Sequence, residues 1–537
     1  MRHEADSAEN KLLRAWLGIA AGLGCFMLAA GPAHGLEPAQ ATEAEAVAQL
    51  EQAVAALEGA EPARDVTNEL RELALALPAL QGADRRRARA ILARPPSNDG
   101  VTSPFGGEWP CPDSGPNDCA MSAESANFKV HWPEIDDCDA PEPSCDEPDL
   151  TDDSPANDIP DYIDDVLAAA ETSYEVQNND LGWPPPKSDG SLGGNSKVDI
   201  YVADICGNRH CLFGYASPDD TSNSCNGPPY KCFAYLVLDN DYAEFGYPDP
   251  GEPMRVTMAH EYNHILQFNL DANQDTWMFE STAVWVEHRV FPGRDDWLRS
   301  FLGTWARTSE RPITNANAGG GLRMYGSGVW NHWLDSTYGP EIILRAWELS
   351  RGPFQPKDYA VGAYNEALKE AGPIYGFPPA FTRFAAATSE WRSDSEGFPR
   401  AGELPNVRRT GKLSLGAKRK RFRLNNTSYR LMRVNPRSAS QIKLRVTAPK
   451  GLRAGLALVG RQGPVLDPVA VVTKTKQIRG TGGGSVKLAN AQSFNRITAV
   501  VVNADGRVKG NKPPFGSFRY SRNQQQLTAK LRRPRSP

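Results

Sequence analysis

The sequence predicts an α+β domain followed by an all-β sandwich domain. Three observations lead there. The first is charge: the first 400 residues hold 29 Lys and Arg against 62 Asp and Glu, whereas residues 401–537 hold 30 against three acids, Glu403, Asp467 and Asp505. So sharp a reversal marks two separate units. The second is the run His260-Glu261-Tyr262-Asn263-His264 inside an apolar stretch of helical period, with further helical patterns after it. The third is a set of short alternating runs beyond Pro405, namely Arg421–Leu424, Ile442–Val446 and Ile497–Val502, with Gly-rich turns between them. They argue a β-sandwich of about a hundred residues.

Two histidines four apart on a helix point to the same side, close enough for both imidazoles to reach one zinc, with Glu261 beside them to hold a water. The chain has only 8 His, so chance would place H-E-x-x-H in about one chain in a hundred of this composition. Pro253 suits the first helical turn, and Val256, Ala259, Ile265, Leu266 and Phe268 supply the apolar packing residues. A third ligand is still needed. A His six residues after the second, behind a Gly, is excluded, because those places hold Gln267 and Leu270. Glu280, on a second apolar helix Trp277-Met278-Phe279-Glu280-Ser281-Thr282-Ala283-Val284-Trp285-Val286-Glu287, can complete a His2Glu set with the fourth position open to water.

The run H-E-Y-N-H-I-L-Q, a short loop, then W-M-F-E-S-T-A-V-W-V-E resembles the gluzincin metallopeptidases, and more closely a group of large secreted bacterial metalloproteases; the closer resemblance covers roughly residues 150 to 340. It implies a zincin-like catalytic domain, with the first Glu of the second helix, Glu280, as the zinc ligand. The small Gly usual after that Glu is Ser281 here, and the interhelical loop is short. The same resemblance points to Tyr325, in Met324-Tyr325-Gly326-Ser327-Gly328, as the place where the aminopeptidase branch carries an oxyanion-stabilising phenol. Tyr325 could equally cap a core helix. Glu287, seven residues after Glu280 and on nearly the same helix face, is the candidate to orient a ligating His.

Upstream, residues 1–35 combine Arg2, Lys11 and Arg14 with an apolar run from Ala15 to Ala30 and small residues near Gly35. This reads as a cleaved signal peptide, so the mature chain is expected outside the cytoplasm, with no membrane span. Eight further cysteines fall in four close pairs, Cys111 and Cys119, Cys138 and Cys145, Cys206 and Cys211, Cys225 and Cys232. Such a set suggests local disulfides rather than a thiolate metal site, since no C-x-x-C occurs. Residues 36–100 form a helical pro-segment, patterned through Ala46–Leu57 and Leu70–Leu80. Its basic run Arg85-Arg86-Arg87-Ala88-Arg89 suits a processing site, although a helical hairpin that stays attached fits as well.

Residues 101–150 read as loops rich in Pro, Asp and Cys. The cluster Asp153–Asp161 could hold a calcium ion, yet Asp158 is as well explained as the N-cap of a helix Ile159–Tyr174. Lys197–Ile205 and Ala234–Leu238 are strand candidates. In zincins an edge strand lies beside the metal helix and pairs with extended substrate, and either strand could be that edge. Later helices are expected at Asp295–Ala306, Val329–Thr337, Pro340–Leu349, Tyr359–Ala371 and Pro379–Trp391.

The expected order is therefore signal (1–35), pro-segment (36–100), zincin-like domain (101–400), basic β-sandwich (401–520) and basic tail (521–537). The expected function is zinc-dependent peptide-bond hydrolysis, with His260, His264 and Glu280 on the metal and Glu261 as proton carrier. The sandwich could engage an anionic polymer, an envelope surface or the acidic first half; nothing supports specific nucleic-acid binding. The alternative is a catalytically silent zincin-like adhesion or surface-binding protein, against which the intact Glu261 speaks.

Overall fold

The computed structural model describes residues 41–57, 65–95, 120–133 and, with short interruptions, 154–534. Three helices come first, α1 (Glu43–Leu57), α2 (Thr67–Ala76, continuing into a tighter turn at Leu77–Ala79) and α3 (Gly82–Leu92). After them come β1 (Ala120–Glu124), β2 (Phe128–Pro133), α4 (Asp161–Tyr174) and the strands β3 (Val198–Ala203), β4 (Gly214–Pro218), β5 (Cys225–Asn226), β6 (Lys231–Cys232) and β7 (Ala234–Asp239). Five of these strands form one mixed sheet in the order β1-β2-β3-β7-β4, with β2, β3 and β7 parallel and both outer strands antiparallel.

The period-2 alternation of a strand sends successive side chains to opposite faces, and here both faces are covered. Ile200, Val202, Ala216, Leu236 and Leu238 join the main core. Tyr201, Ala203, Tyr215, Tyr235 and Val237 meet Leu50, Val54, Leu70, Leu73 and Leu92 of α1–α3 in a second cluster. The N-terminal helices thus form a layer of their own on the sheet. Arg94 anchors that layer with ion pairs to Asp189, Asp199 and Asp219.

On the main core side lie α5 (Gly251–Asp271) and α6 (Thr276–Val290). Nearly every residue of both is buried, because α5 is enclosed by the sheet, α4 and α6. A helix covered all round shows no single apolar stripe, which is how His260 and Glu261 can sit in the interior. The turn between them is held by Asp271, whose Oδ1 accepts the backbone N–H groups of Asn273 and Tyr230 at 3.0 and 3.2 Å.

Further helices α7 (Leu302–Arg307), α8 (Leu322–Gly326), α9 (Val329–Tyr338), α10 (Glu341–Leu349), α11 (Ala360–Glu370) and α12 (Phe377–Ala387) complete the helical layer. Beyond residue 410 the chain is strand: β8 (Lys412–Ser414), β9 (Lys420–Leu424), β10 (Ser428–Asn435), β11 (Ile442–Thr447), β12 (Ala454–Gln462), β13 (Ala470–Ile478), β14 (Gly483–Leu488), β15 (Arg496–Asn503) and β16 (Gln525–Arg532). They make two sheets, ordered β13-β12-β15-β10-β8 and β14-β11-β16-β9. Side chains from both contribute to one apolar cluster. The outer face of the first sheet rests on α12, where a Cβ on Gly455 would fall 2.0 Å from Thr382 Oγ1. That close approach is the reason for glycine in mid-strand.

Several expectations change. Residues 120–133, read as loop, form the β1–β2 hairpin. Asp158 does not cap a helix: it takes the left-handed conformation (φ 62°), and α4 starts at Asp161 behind Pro160. The basic run lies inside α3, where Arg87 and Arg89 pair with Glu51 and Asp220. Neither expected strand is an edge; β3 and β7 are interior, and the edge strand packed on α5 is β4. Residues 525–532, expected as part of a tail, form β16, because Leu527, Ala529 and Leu531 alternate into the apolar cluster. Cys206–Cys211 and Cys225–Cys232 are disulfides. The signal sequence, Asp153 and the other two cysteine pairs lie outside the described residues. Among the described residues no helix is long and apolar enough to cross a membrane.

Candidate metal centre

Helices α5 and α6 bring the two halves of the sequence motif face to face. Glu280 Oε2 lies 3.3 Å from His260 Nε2, and Glu280 Oε1 lies 3.7 Å from His264 Nε2. All three side chains are fully buried. Each histidine is aimed by a partner on its other ring nitrogen. His260 Nδ1 donates to Glu287 Oε1 at 2.6 Å, and His264 Nδ1 donates to Gln267 Oε1 at 2.8 Å, which leaves the Nε2 lone pairs facing Glu280. These directions follow from the acceptors, since a carboxylate or amide oxygen can only accept.

Gln267 is itself braced. Its Nε2 donates to Asn263 Oδ1 at 2.6 Å, and Asn263 Nδ2 donates to Gln177 Oε1 at 3.0 Å. Gln177 sits on a widened π turn, Glu175–Asp180, that prolongs α4, and its Nε2 reaches Ala259 O of α5 at 3.0 Å. Wide turns of this kind are frequent at functional sites.

A further carboxylate completes the group. Asp65, just before α2, offers an oxygen that lies with donors from His260, His264 and Glu280 inside a cluster no wider than 4.8 Å. Asp65 Oδ2 is 3.9 Å from His260 Nε2 and accepts the Tyr325 hydroxyl at 2.7 Å. The Tyr325 ring stands 6.0 Å from that of His260, which places the phenol beside this cluster. Glu261 Oε2 accepts the Thr67 hydroxyl at 2.9 Å, and the same hydroxyl oxygen accepts the Ala216 N–H of edge strand β4 at 2.9 Å. Asn68 Nδ2 donates to Glu280 Oε1. Three residues later, Arg71 stacks over the Phe279 ring at 4.2 Å and reaches Thr276 Oγ1 at 3.3 Å.

The donor set suits a zinc ion: two imidazole nitrogens and carboxylate oxygens in a dry, preformed cluster. Electrostatics point the same way. Burial, with the Asp65 and Glu261 charges nearby, pushes the Glu280 carboxyl well above the usual carboxylate range. Three carboxylates sharing one buried site repel one another, and a divalent cation relieves that repulsion. Among the described residues this is the one such donor group. Asp161 is not part of it: its Oδ1 accepts the Ser154 N–H at 2.5 Å, and nearby Asp164 Oδ2 accepts Asn157 Nδ2 at 2.9 Å. Among the described residues, those between 154 and 161 form no group of three His, Cys, Asp or Glu donors.

All six residues singled out in the sequence, His260, Glu261, His264, Glu280, Glu287 and Tyr325, meet at this centre. Asp65, Thr67, Asn68 and Gln267 were not anticipated. Gln267 has the local signal of lying one turn beyond His264, whereas Asp65 to Asn68 are some 190 residues away from the motif and carry no spacing signal.

No protein-family model matches the chain, and no curated protein does either. Among solved structures, the chain is similar to Legionella pneumophila aminopeptidase A in complex with aspartic acid, at 11% identity and a TM-score of 0.29. That match covers 70% of this chain and 36% of the other. The chain thus spans about a third of the length of that protein.

Proposed function

We propose that the chain is a zinc-dependent peptidase of the gluzincin type that acts outside the cytoplasm. The observation that carries this is the convergence of His260 Nε2, His264 Nε2 and the Glu280 carboxylate in one buried cluster with Glu261 beside it. His260, His264 and Glu280 would hold the metal. Zinc, when bound, supplies a Lewis acid that acidifies water and polarises a carbonyl.

Glu261 takes a proton from the attacking water and delivers it to the leaving amine, a role that needs a carboxylate placed beside the ligands without being one. Tyr325 aims its hydroxyl at the position now held by an Asp65 oxygen, where it would donate to the oxygen that gains charge as the carbonyl is attacked. Glu287 and Gln267 hold the two imidazoles in the required tautomer and orientation. Edge strand β4 presents the Ala216 N–H outward, a donor for extended substrate backbone. The two Cys pairs joined in the structure suit an exported chain. We read the two C-terminal sheets as the basic sandwich appended to the catalytic part.

The test is zinc stoichiometry together with hydrolysis of a broad peptide library. One zinc per chain, lost in His264→Ala, is expected. Absence of hydrolysis even when Asp65 is replaced would sink the enzymatic reading and leave the silent, surface-binding one, which draws on the same contacts from residues 65–68 that cover the site.

A further inference from the structure

We propose that residues 65–71, while they remain attached, hold this centre closed, with Asp65 taking the coordination position that water and substrate need; the proposal rests on the zinc-peptidase reading above. A catalytic zinc keeps three protein ligands and one open position, whereas a fourth protein ligand makes the site a closed one. Asp65 supplies that fourth ligand. It is held in place from two sides, by the Thr67 N–H on Oδ1 at 3.1 Å and by the Tyr325 hydroxyl on Oδ2 at 2.7 Å.

The contacts of the next residues fall on the remaining working parts. The Thr67 hydroxyl donates to Glu261, the group that must receive the proton of water, and accepts from Ala216, the edge-strand donor that extended substrate would use. Asn68 donates to the ligand Glu280. Arg71 clamps α2 over the α5–α6 turn through Phe279, Thr276 and the Gln274 carbonyl. Apolar packing of α1–α3 on the sheet accounts for docking of the segment, but it does not require four successive polar contacts with the ligand set, the base, the phenol and the edge strand. Together these occupy each position that the reaction requires, so hydrolysis needs residues 65–71 to be displaced.

The experiment uses the full chain loaded with Zn2+ or Co2+ and a small probe, acetohydroxamic acid, whose binding is read from the visible absorption of the Co2+ form. In the wild-type chain the probe should bind weakly. In Asp65→Ala, and in the near-isosteric Asp65→Asn, its affinity should rise by ~10-fold or more while one metal per chain is retained, because a site closed most of the time binds in proportion to its open fraction. Equal probe affinity in wild type and both variants overturns the proposal. So does loss of the metal from both variants with unchanged circular dichroism, which would make Asp65 a permanent ligand. A wild-type chain that takes up neither metal overturns the zinc reading beneath it, and the two failures are therefore distinguishable.

Discussion

At the residue scale, each side chain at the centre can be separated from the others by what its loss should do. Glu261→Gln keeps every metal ligand, so zinc content should stay at one per chain while hydrolysis falls by several orders of magnitude; an active Glu261→Gln would refute the assigned role. Glu280→Ala should strip the metal. Glu287→Ala and Gln267→Ala each remove the acceptor behind an imidazole while leaving His260, His264 and Glu280 in place, and should weaken zinc binding by ~10 to 100-fold, measured by competition with a chelating dye. If Glu287→Ala strips the metal and Glu280→Ala does not, the roles are reversed. Away from the centre, His332 is buried beside His288, with ring centroids 5.4 Å apart. Burial, then the neighbouring His288 and Arg289 charges, holds the His332 imidazole well below its ordinary value near 6.5. The unfolded chain therefore binds a proton that the folded chain refuses. Stability from this group is fully present above about pH 6.5 and is lost as pH falls below that. Thermal unfolding between pH 7 and pH 5 should show less acid destabilisation in His332→Gln than in wild type; an identical slope would contradict the assignment.

At the element scale, the contact of α12 with β12 is the least tolerant point. Gly455→Val inserts a branched side chain where Thr382 Oγ1 already stands, and should cost about 1–3 kcal/mol in urea unfolding through overpacking. A neutral result would mean that α12 can slide on the sheet. How far elements were legible follows from their patterning. α5, α6 and α9 to α12 were legible because long apolar runs of helical period are bounded by turn residues, and β3 and β7 because β-branched and aromatic residues cluster there. β4, Gly-Tyr-Ala-Ser-Pro, was not, since Gly, Ser and Pro disfavour strands and only pairing with β7 overrides them. β16 was concealed by the basic residues on its solvent face.

At the scale of the whole molecule, the basic final quarter meets the acidic first part in at least one defined place. Glu390 faces Arg409, Arg461 and Arg496 at 3.3, 3.1 and 3.6 Å, and its side chain is 1% exposed. Glu390→Gln leaves these cations without their shared anion and should destabilise the chain by roughly 3–5 kcal/mol, the range for removing one partner of a buried pair. A loss below 1 kcal/mol would show the arginines to be satisfied by water.

That His260 and His264 share one helix face, with Glu261 beside them, was legible in the sequence alone, because spacing on one helix is a local property: positions i and i+4 share a face wherever that helix lies. That Glu280 and Glu287 lie on one face of a second helix was legible for the same reason, and the preference for Glu280 came from the family resemblance; that Glu287 meets His260 came only from the structure. What only the tertiary structure decided is what the centre faces. Asp65, Thr67 and Asn68 reach it because α1–α3 cover the apolar face of the sheet bearing Tyr201, Tyr215 and Tyr235. That docking brings α2 beside the edge strand β4 and Thr67 within hydrogen-bond reach of Glu261 on α5. Contacts between residues nearly two hundred positions apart leave no periodicity in a single sequence, and they arise here only because two layers must bury one sheet.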